Sequence, residues 1–499
     1  MAGNLFLGVD VGSSLFKASI LDGDTGEIIA TVDYPDMEQP ILARKQGWAE
    51  QEPEMWWQNF MGSYRKLIVE HDIPSEHIRA IGISYQMHGL VVVNDDLKPM
   101  RPAIIWCDSR AIEFGDEALE QIGEEKALNS LLNYPGNFTA SKLAWFKHSE
   151  PVAFSRMNKF MLPGDYIAMK LTGYPTTTES GLSEGIFWDF EKNDISEDIM
   201  ETFGFSKKNI PDRVPTFTDI LKISKPMARM LGMSDEVRIS YRAGDQPNNA
   251  FSLNVLRPGE LAITAGTSGV IYAVTDTNYF DPESRVNTFL HVNNKASEKR
   301  NGVLACINGT GITYRWLRNT FSVDGMLKYE RLNELVSKTN PGAKELYFLP
   351  FGNGAERILK NQNIGAQIIN LDFNQHTTGH ILRAALEGIV FGMNLGFEIL
   401  KEKNIYSDTI KAGHANLFLS ETFQDIFAHV TGTNFELYNT DGAAGAARGA
   451  AYGIGHYSSF DEIFETLKCI RRIEPQASKT ERYQEIYEKW ADKLALFMS

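Results

Sequence analysis

The patterning of this chain predicts an α/β protein of two duplicated lobes facing each other across a cleft. Three observations carry that expectation. The first is length, since 499 residues exceed what one hydrophobic core serves, and two domains are expected, 1–248 and 249–499. The second is Leu5 to Leu21, LFLGVDVGSSLFKASIL, which reads as an apolar strand, a tight Asp-Val-Gly-Ser-Ser turn and a return strand. The third is its echo about half a chain later. Glu260 to Val274, ELAITAGTSGVIYAV, repeats strand, Gly-Thr-Ser turn and strand.

The first turn has the residues a phosphate loop needs. Gly12 lets backbone approach a ligand closely, and the amides and hydroxyls of Ser13 and Ser14 can donate to phosphate oxygens. Asp10 sets a carboxylate at the strand end, where a divalent cation bridging phosphates needs one. A hairpin with a merely polar bend has the same local pattern. The second loop, Gly266, Thr267 and Ser268, therefore carries much of the weight. Lys17 could add charge beside the first loop, or could be a solvated surface lysine.

Between the loops, Glu52 and Pro53 start a helix in which Trp56, Phe60, Tyr64, Leu67 and Ile68 recur at helical spacing. Ile78 to Ser84 is a short run rich in β-branched residues, expected as a central strand that delivers Gln86-Met87-His88-Gly89 to its carboxyl end. Leu90 to Asp95 and Ala103 to Trp106 read as further strands, the latter ending in Cys107-Asp108-Ser109-Arg110. One sheet is thus expected to carry both polar clusters to its ligand side. Leu162 to Gly173 reads as a helix capped near Asp165, and residues 174–190 as a Thr-, Ser- and Gly-rich loop with short strand, suited to lining a cleft. Later, His380 to Leu400 is an apolar helix. Thr409 to Ala412 is a strand running into Gly413-His414-Ala415-Asn416. Asp441 to Gly455 is a small-residue helix suited to close packing or to a flat ligand edge.

Composition narrows the classes of function. A formal charge of −15 argues against nucleic acid as the main partner, though not against a small anion held by amides. Cys107, Cys306 and Cys469 are widely spaced and odd in number, which suits a reducing cytoplasm and neither a disulfide framework nor a zinc site. No apolar run is long enough to suggest a membrane span, and Asp10 inside the first apolar run does not suit a signal peptide. The sequons at Asn137 and Asn308 are then expected to be chance matches.

The ordered set of these stretches resembles the FGGY carbohydrate kinase family. It comprises GVDVGSSLFKASILD, GWAEQEP, GISYQMHGLV, AIIWCDSR, LPGDYIAMKLTG, GDQPNNAF, AITAGTSGVIYAV, HILRAALEGIVFGM, IKAGHANLFLSETFQDIFAHVTG and DGAAGAARGAA. The resemblance covers nearly the whole chain and implies the two-lobed actin-like ATPase (ribonuclease H-like) fold. It also implies phosphoryl transfer from ATP to a sugar hydroxyl with Mg²⁺. Gln86-Met87-His88-Gly89 is similar to the xylulose-using branch, which makes D-xylulose the expected acceptor. Another ketose, a polyol or an aldonate is the alternative. Asp245, in Gly244-Asp245-Gln246, would be the base. A carboxylate that orients the hydroxyl and takes its proton late is sufficient, because phosphoryl transfer is mostly positioning and charge neutralisation.

By the same resemblance, Asp10 would bind Mg²⁺ through water. Gly12, Ser13, Ser14 and Gly266, Thr267, Ser268 would cradle phosphates, with Lys17 as an added charge. Met87 and His88 would touch the sugar, with Gln86, Asp108 and Gln246 beside them. Asp108 could instead pair with Arg110 in its own turn. Gly413 and Asn416 would line the adenine pocket. Two departures from the family pattern concern contacts. Gly-His-Ala-Asn stands where many relatives carry a run of glycines, and ILKNQNIGA follows the retained Glu356-Arg357. The small-molecule partners are then sugar and ATP, and a homodimer is an expectation of the family alone. A nucleotide-driven switch without a sugar, and a binding-only pseudokinase, are the readings from other classes. The sugar-side stretches disfavour the first, and retention of Asp10 and Asp245 disfavours the second.

Overall fold

In the computed structural model, which describes residues 3–322 and 327–498, Leu5–Val11 (β1) and Phe16–Asp22 (β2) form the opening hairpin. Val11 pairs with Phe16 across a four-residue turn. Ile28–Tyr34 (β3) adds antiparallel to β2, while Ile78–Tyr85 (β4) runs parallel to β1 and Arg238–Gly244 (β5) parallel to β4. The sheet order is β5-β4-β1-β2-β3. The central strands β1 and β4 are buried on both faces, which explains why they read as near-continuous apolar runs. The helix Pro53–Glu70 (α1) covers one face with Trp56, Phe60, Tyr64 and Leu67, starting at Pro53 where a missing amide costs nothing.

The second half builds the same core again. Leu261–Ala265 (β6) and Gly269–Thr275 (β7) form a hairpin. Asn287–Leu290 (β8), Asn301–Ile307 (β9), Thr409–Gly413 (β10), Asn434–Tyr438 (β11) and Cys469–Ile473 (β12) complete a seven-stranded sheet ordered β8-β9-β7-β6-β10-β11-β12. In each lobe the hairpin's first strand has an antiparallel neighbour on one side and two successive parallel strands on the other. The duplication suggested by two short turns is therefore a duplication of sheet topology, and the fold is α/β with two lobes.

The remaining helices position the site. Pro163–Thr172 (α2) is closed at its start by Asp165, whose Oδ2 accepts from Leu162 N at 3.2 Å, and it ends at Gly173 with φ 82°. Residues 174–190 are more ordered than their composition suggested, forming the strand Thr176–Thr178 and the helix Glu179–Glu184 (α3). Asp245–Ser252 (α4) follows β5 directly, Gly311–Phe321 (α5) follows β9, and Thr378–Lys401 (α6) is the apolar helix of the second core. Gly442–Gly453 (α7) is capped by Asp441, whose Oδ1 accepts from Ala444 N at 2.9 Å.

One expectation changes, and one open alternative is decided. Val91–Val93 and Ala103–Ile104 do not join the main sheet. They pair with Lys159–Met161 and with Glu50–Gln51 instead, because the central places are taken by β4 and the distant β5. The small-residue helix α7 is a packing helix, laid on the first sheet although it comes from the second half of the chain. A Cβ on Gly8 would sit 2.0 Å from the Ala443 carbonyl oxygen, and one on Gly82 2.0 Å from that of Ala446. Only glycines in the sheet permit that approach.

Candidate active site

The two lobes face each other across a cleft of about 280 Å³. Asp10 and Lys17 reach it from the first hairpin, and Asp245 and Gln246 from the start of α4. The opposite wall carries the β6–β7 turn, Gly266, Thr267 and Ser268, together with Gly413 at the end of β10 and Asn416 beyond it. Gly12, Ser13 and Ser14 lie at the surface outside this lining.

Both turns direct their carbonyls back into the protein. Gln39 Nε2 donates to Gly12 O at 3.3 Å, Gln51 Nε2 to Ser13 O at 2.7 Å, and Gln39 N to Ser14 O at 2.8 Å. In the second lobe the first amides of α5 do the same, with Gly311 N donating to Gly266 O at 2.9 Å and Ile312 N to Thr267 O at 3.1 Å. Among the described residues the amides of Ser13, Ser14, Thr267 and Ser268 have no protein acceptor. A turn with anchored carbonyls and unpaired amides is an anion nest.

Asp10 stands between them. Ser84 Oγ donates to its Oδ1 at 2.7 Å, and α7 begins so close that a Cβ on Gly442 would lie 2.3 Å from its Oδ2. Burial pushes the Asp10 carboxyl above the usual range, against the Ser84 hydrogen bond, and the Asp441 charge adds to the rise. Lys17 is less available than its position in sequence suggests. It bridges Asp441 at 3.1 Å and Asp33 at 3.7 Å, and these carboxylates hold its ammonium charged despite burial.

Asp245 is the first residue of α4, and Gln246 Nε2 donates to its Oδ2 at 3.1 Å. Burial, and then the Asp10 charge, push the Asp245 carboxyl up to about 7. That is the range in which a carboxylate can accept a proton near neutral pH.

The other face of Gly244 holds the residues expected on the sugar side. A Cβ on Gly244 would lie 2.6 Å from Met87 Cγ and 2.8 Å from Glu184 Oε2, so glycine is what lets these side chains close on the Asp245 turn. His88 adopts φ 60°, and its ring sits between Phe138 and Phe289, with centroids at 4.9 and 5.2 Å. Its Nδ1 lies 2.9 Å from the Glu184 carbonyl oxygen. A carbonyl only accepts, so Nδ1 carries the proton and Nε2 keeps its lone pair. Burial, then the neighbouring Lys142 ammonium, lower the His88 pKa to about 3.

Gln86 is 3 % exposed and braces the loop below, its Nε2 donating to Gln51 Oε1 at 3.1 Å while its own Oε1 has no partner. Asp108 belongs to a different construction. It is fully buried, accepts from Ala49 N at 2.6 Å and pairs with Arg110 at 2.6 Å, while Asn137 donates to its backbone oxygen. Arg110 continues to Glu50 at 2.7 Å, which Arg101 also pairs at 2.6 Å. The pairing in its own turn is thus the one that forms, and it leaves the Asp108 carboxylate committed.

Three polar groups near this side escaped the sequence reading. Lys142 is fully buried and donates from Nζ to His88 O at 2.9 Å, and burial lowers its pKa to about 8. Nothing in a helical AlaSerLysLeu run signals that. Glu184 is 2 % exposed with neither carboxylate oxygen bonded, and burial drives its pKa far up. It falls in the Thr/Ser/Gly-rich segment singled out as cleft lining. The third is Arg357, from the retained Glu-Arg pair. Its neighbour Glu356 accepts from Asn308 N at 2.9 Å and Gly309 N at 3.0 Å, which ties that loop to the turn after β9.

A duplicated α/β sheet whose two lobes enclose a cleft lined by Asp10, Asp245 and the Gly266 to Ser268 turn defines a two-lobed protein of the actin-like ATPase fold. Residues 5–252 match the N-terminal domain model of the FGGY family of carbohydrate kinases, and 261–454 match its C-terminal domain model. The chain belongs to the FGGY family of carbohydrate kinases and is a sugar kinase. It is 27 % identical over 495 residues to the xylulose kinase of Bacillus subtilis, covering 97 % of this chain and 95 % of that one. Among solved structures it is similar to a gluconate kinase from Lactobacillus acidophilus, with TM-score 0.88, 20 % identity and 100 and 99 % of the two chains covered. A ligand-bound xylulose kinase from the same organism gives TM-score 0.87, 21 % identity and 98 and 97 % coverage. Among the described residues no helix is long and apolar enough to cross a membrane.

Proposed function

We propose that the protein transfers the γ-phosphoryl group of ATP to D-xylulose, giving D-xylulose 5-phosphate. The observation that carries this reading is the position of Asp245. One side of its turn opens on the cleft with Asp10 and the Gly266 to Ser268 turn, and Gly244 behind it packs against Met87 and the carboxylate of Glu184, the residue whose carbonyl fixes His88. In this reading Asp245 orients the reacting hydroxyl and accepts its proton late. The unpaired amides of the two turns bind phosphate oxygens, and the apolar walls around His88 exclude water so that transfer outcompetes hydrolysis. His88 Nε2 accepts from a sugar hydroxyl, and Met87 packs on a carbon face. Gly413 and Asn416 border the nucleoside, and the first lobe carries the sugar while the second carries the nucleotide.

The donor set fits Mg²⁺. Mg²⁺ takes oxygen ligands and keeps several of its waters, and the Asp10 carboxylate offers one such oxygen ligand on the cleft wall. Asp10 is the residue that would hold it. When bound, Mg²⁺ supplies charge neutralisation on the phosphates.

The xylulose assignment follows the kinship of the chain. The likeness to a gluconate kinase keeps an aldonate as the second reading. A coupled ADP-release assay across pentuloses, hexuloses, polyols and aldonates decides between them. D-xylulose is expected to give the highest kcat/KM, and a better aldonate would replace it. Asp245→Asn is expected to lower kcat with the best sugar about 10²–10⁴-fold. Full activity in that variant would remove Asp245 from the role of base.

A further inference from the structure

Among the described residues, Arg357 is the charged group from the second lobe's side that acts on His88. It sits in the short 3₁₀ turn Arg357–Leu359, on a loop pinned through Glu356 to the amides of Asn308 and Gly309. From there the guanidinium reaches the first lobe, its Cζ 5.9 Å from the Phe138 ring that also packs on His88. Its only hydrogen bond among the described residues is from Nη1 to Ser284 Oγ at 3.3 Å, and no carboxylate lies within ion-pair distance.

That is an unusual state for an arginine in a dense environment. Three deeply lodged arginines have a carboxylate in close contact, Arg110 with Asp108 and Glu50, Arg242 with Asp165 and Arg383 with Glu387, whereas Arg448, inside the first lobe's core rather than beside His88, bonds only Thr440 Oγ1 at 3.3 Å among the described residues. Arg357 keeps donors free, and the groups around it do not use them. His88, on the same side, is neutral and presents an acceptor at Nε2, while Lys142 directs its ammonium to the His88 carbonyl. An acceptor from one lobe and a planar set of donors from the other together match a polyol. Hydroxyl protons go to the histidine, and carbonyl, hydroxyl or carboxylate oxygens go to the guanidinium.

We propose that Arg357 is a specificity-determining residue that donates hydrogen bonds to the sugar's oxygens at the end remote from the reacting hydroxyl, adding a charged donor from the second lobe to a site walled by Met87, His88 and Phe138 of the first and by Phe289 of β8. The proposal rests on the sugar-kinase reading of the cleft, not on which sugar is preferred. A ketose end and an aldonate carboxylate share the acceptor chemistry that Arg357 serves, and the charged acceptor gains more from it.

Kinetics of Arg357→Met and Arg357→Lys test this, using the best sugar of the ADP-release panel. A preferred sugar other than D-xylulose would then revise the proposed function and leave this test intact. Arg357→Met is expected to raise KM for the sugar at least tenfold while KM for ATP stays within twofold. Arg357→Lys should recover part of the loss. A deoxy sugar lacking the remote hydroxyl should be a poor substrate of the native protein and lose nothing more in the variant. If the best sugar is an aldonate, the loss in Arg357→Met should exceed a hundredfold. Unchanged sugar KM in a variant that melts like the native protein would overturn the proposal, as would equal rises in both KM values with a lowered melting temperature. If Arg357→Met does not fold, the same criteria apply to Arg357→Lys, with at least a threefold rise expected.

Discussion

A carboxylate that must act as a base has to be kept from its ordinary acidity, and at Asp245 burial and the Asp10 charge do this together. Two consequences follow at the scale of the residue. The acid limb of kcat/KM for the sugar should fall near pH 7, read from a pH–rate profile, because protonation removes the base. Its position bears on stability as well. The folded state holds this proton up to about pH 7 while the unfolded chain releases it near 3.8. The contribution is therefore present in full below about pH 4 and lost as pH rises through 7. At pH 8 the ligand-free Asp245→Asn protein should be more stable than the native one by about 1–3 kcal/mol, with the gain gone below pH 4. Equal urea midpoints for the two proteins at pH 8 would show that the carboxylate is not held at a cost. Lys17 illustrates the reverse case. Its charge is matched by Asp441 and Asp33, and it is in the cleft without being spare.

At the scale of the element, α7 decides most. Alanine and glycine along DGAAGAARGAAYG give it a face thin enough to lie on the sheet. Gly8 and Gly82 supply the matching gaps, and Asn248 Nδ2 donates to Gly442 O at 2.8 Å, joining α7 to α4. The helix thereby sets the distance between Asp10, whose carboxylate meets its first turn, and Asp245 at the head of α4. Gly82→Ala places a methyl 2.0 Å from the Ala446 oxygen. It should cost at least about 1–3 kcal/mol in urea unfolding with m unchanged, and activity should fall with it as α7 is displaced. A native-like midpoint would mean that helix and sheet are not in firm contact.

At the scale of the whole molecule, the lobes are joined in more than one place. Besides α7, the edge strand β8 docks on the first lobe, where Asn133 Nδ2 donates to Thr288 O at 2.7 Å and Leu290 N to Ser183 Oγ at 3.0 Å. Across the cleft mouth Arg315 on α5 pairs with Glu38 at 3.0 Å. Both partners are substantially exposed, and that pair contributes little stability on its own. Ligands held between the lobes should stabilise the whole. ATP with Mg²⁺ at a hundred times its Kd is expected to add about 2.7 kcal/mol to unfolding, and chelation should remove most of that gain while leaving the sugar's own share. A melting shift by ATP that survives chelation would remove Mg²⁺ from the reading.

The pattern along the chain determined the duplicated sheets, since buried parallel strands and small-polar turns announce themselves locally in Leu5 to Leu21 and in Glu260 to Val274. It also made Asp10 and the two loops candidates, because phosphate-type turns and strand-end acids are short motifs, while Asp245 and His88 became candidates through the resemblance of the ordered stretches to the family. What only the tertiary structure decided is which of those side chains remain available. Asp108 and Lys17 each had two readings in the sequence, and it is Arg110, Asp33 and Asp441 that occupy them. Glu184, Lys142 and Arg357 carried little or no signal of their own, yet burial without a matching partner gives the first and last their chemical interest. The physical reason is that a charge acts on a ligand only after its other partners are counted. Those partners come from residues far away in the chain, as α7 comes to the first sheet, and local pattern does not record them.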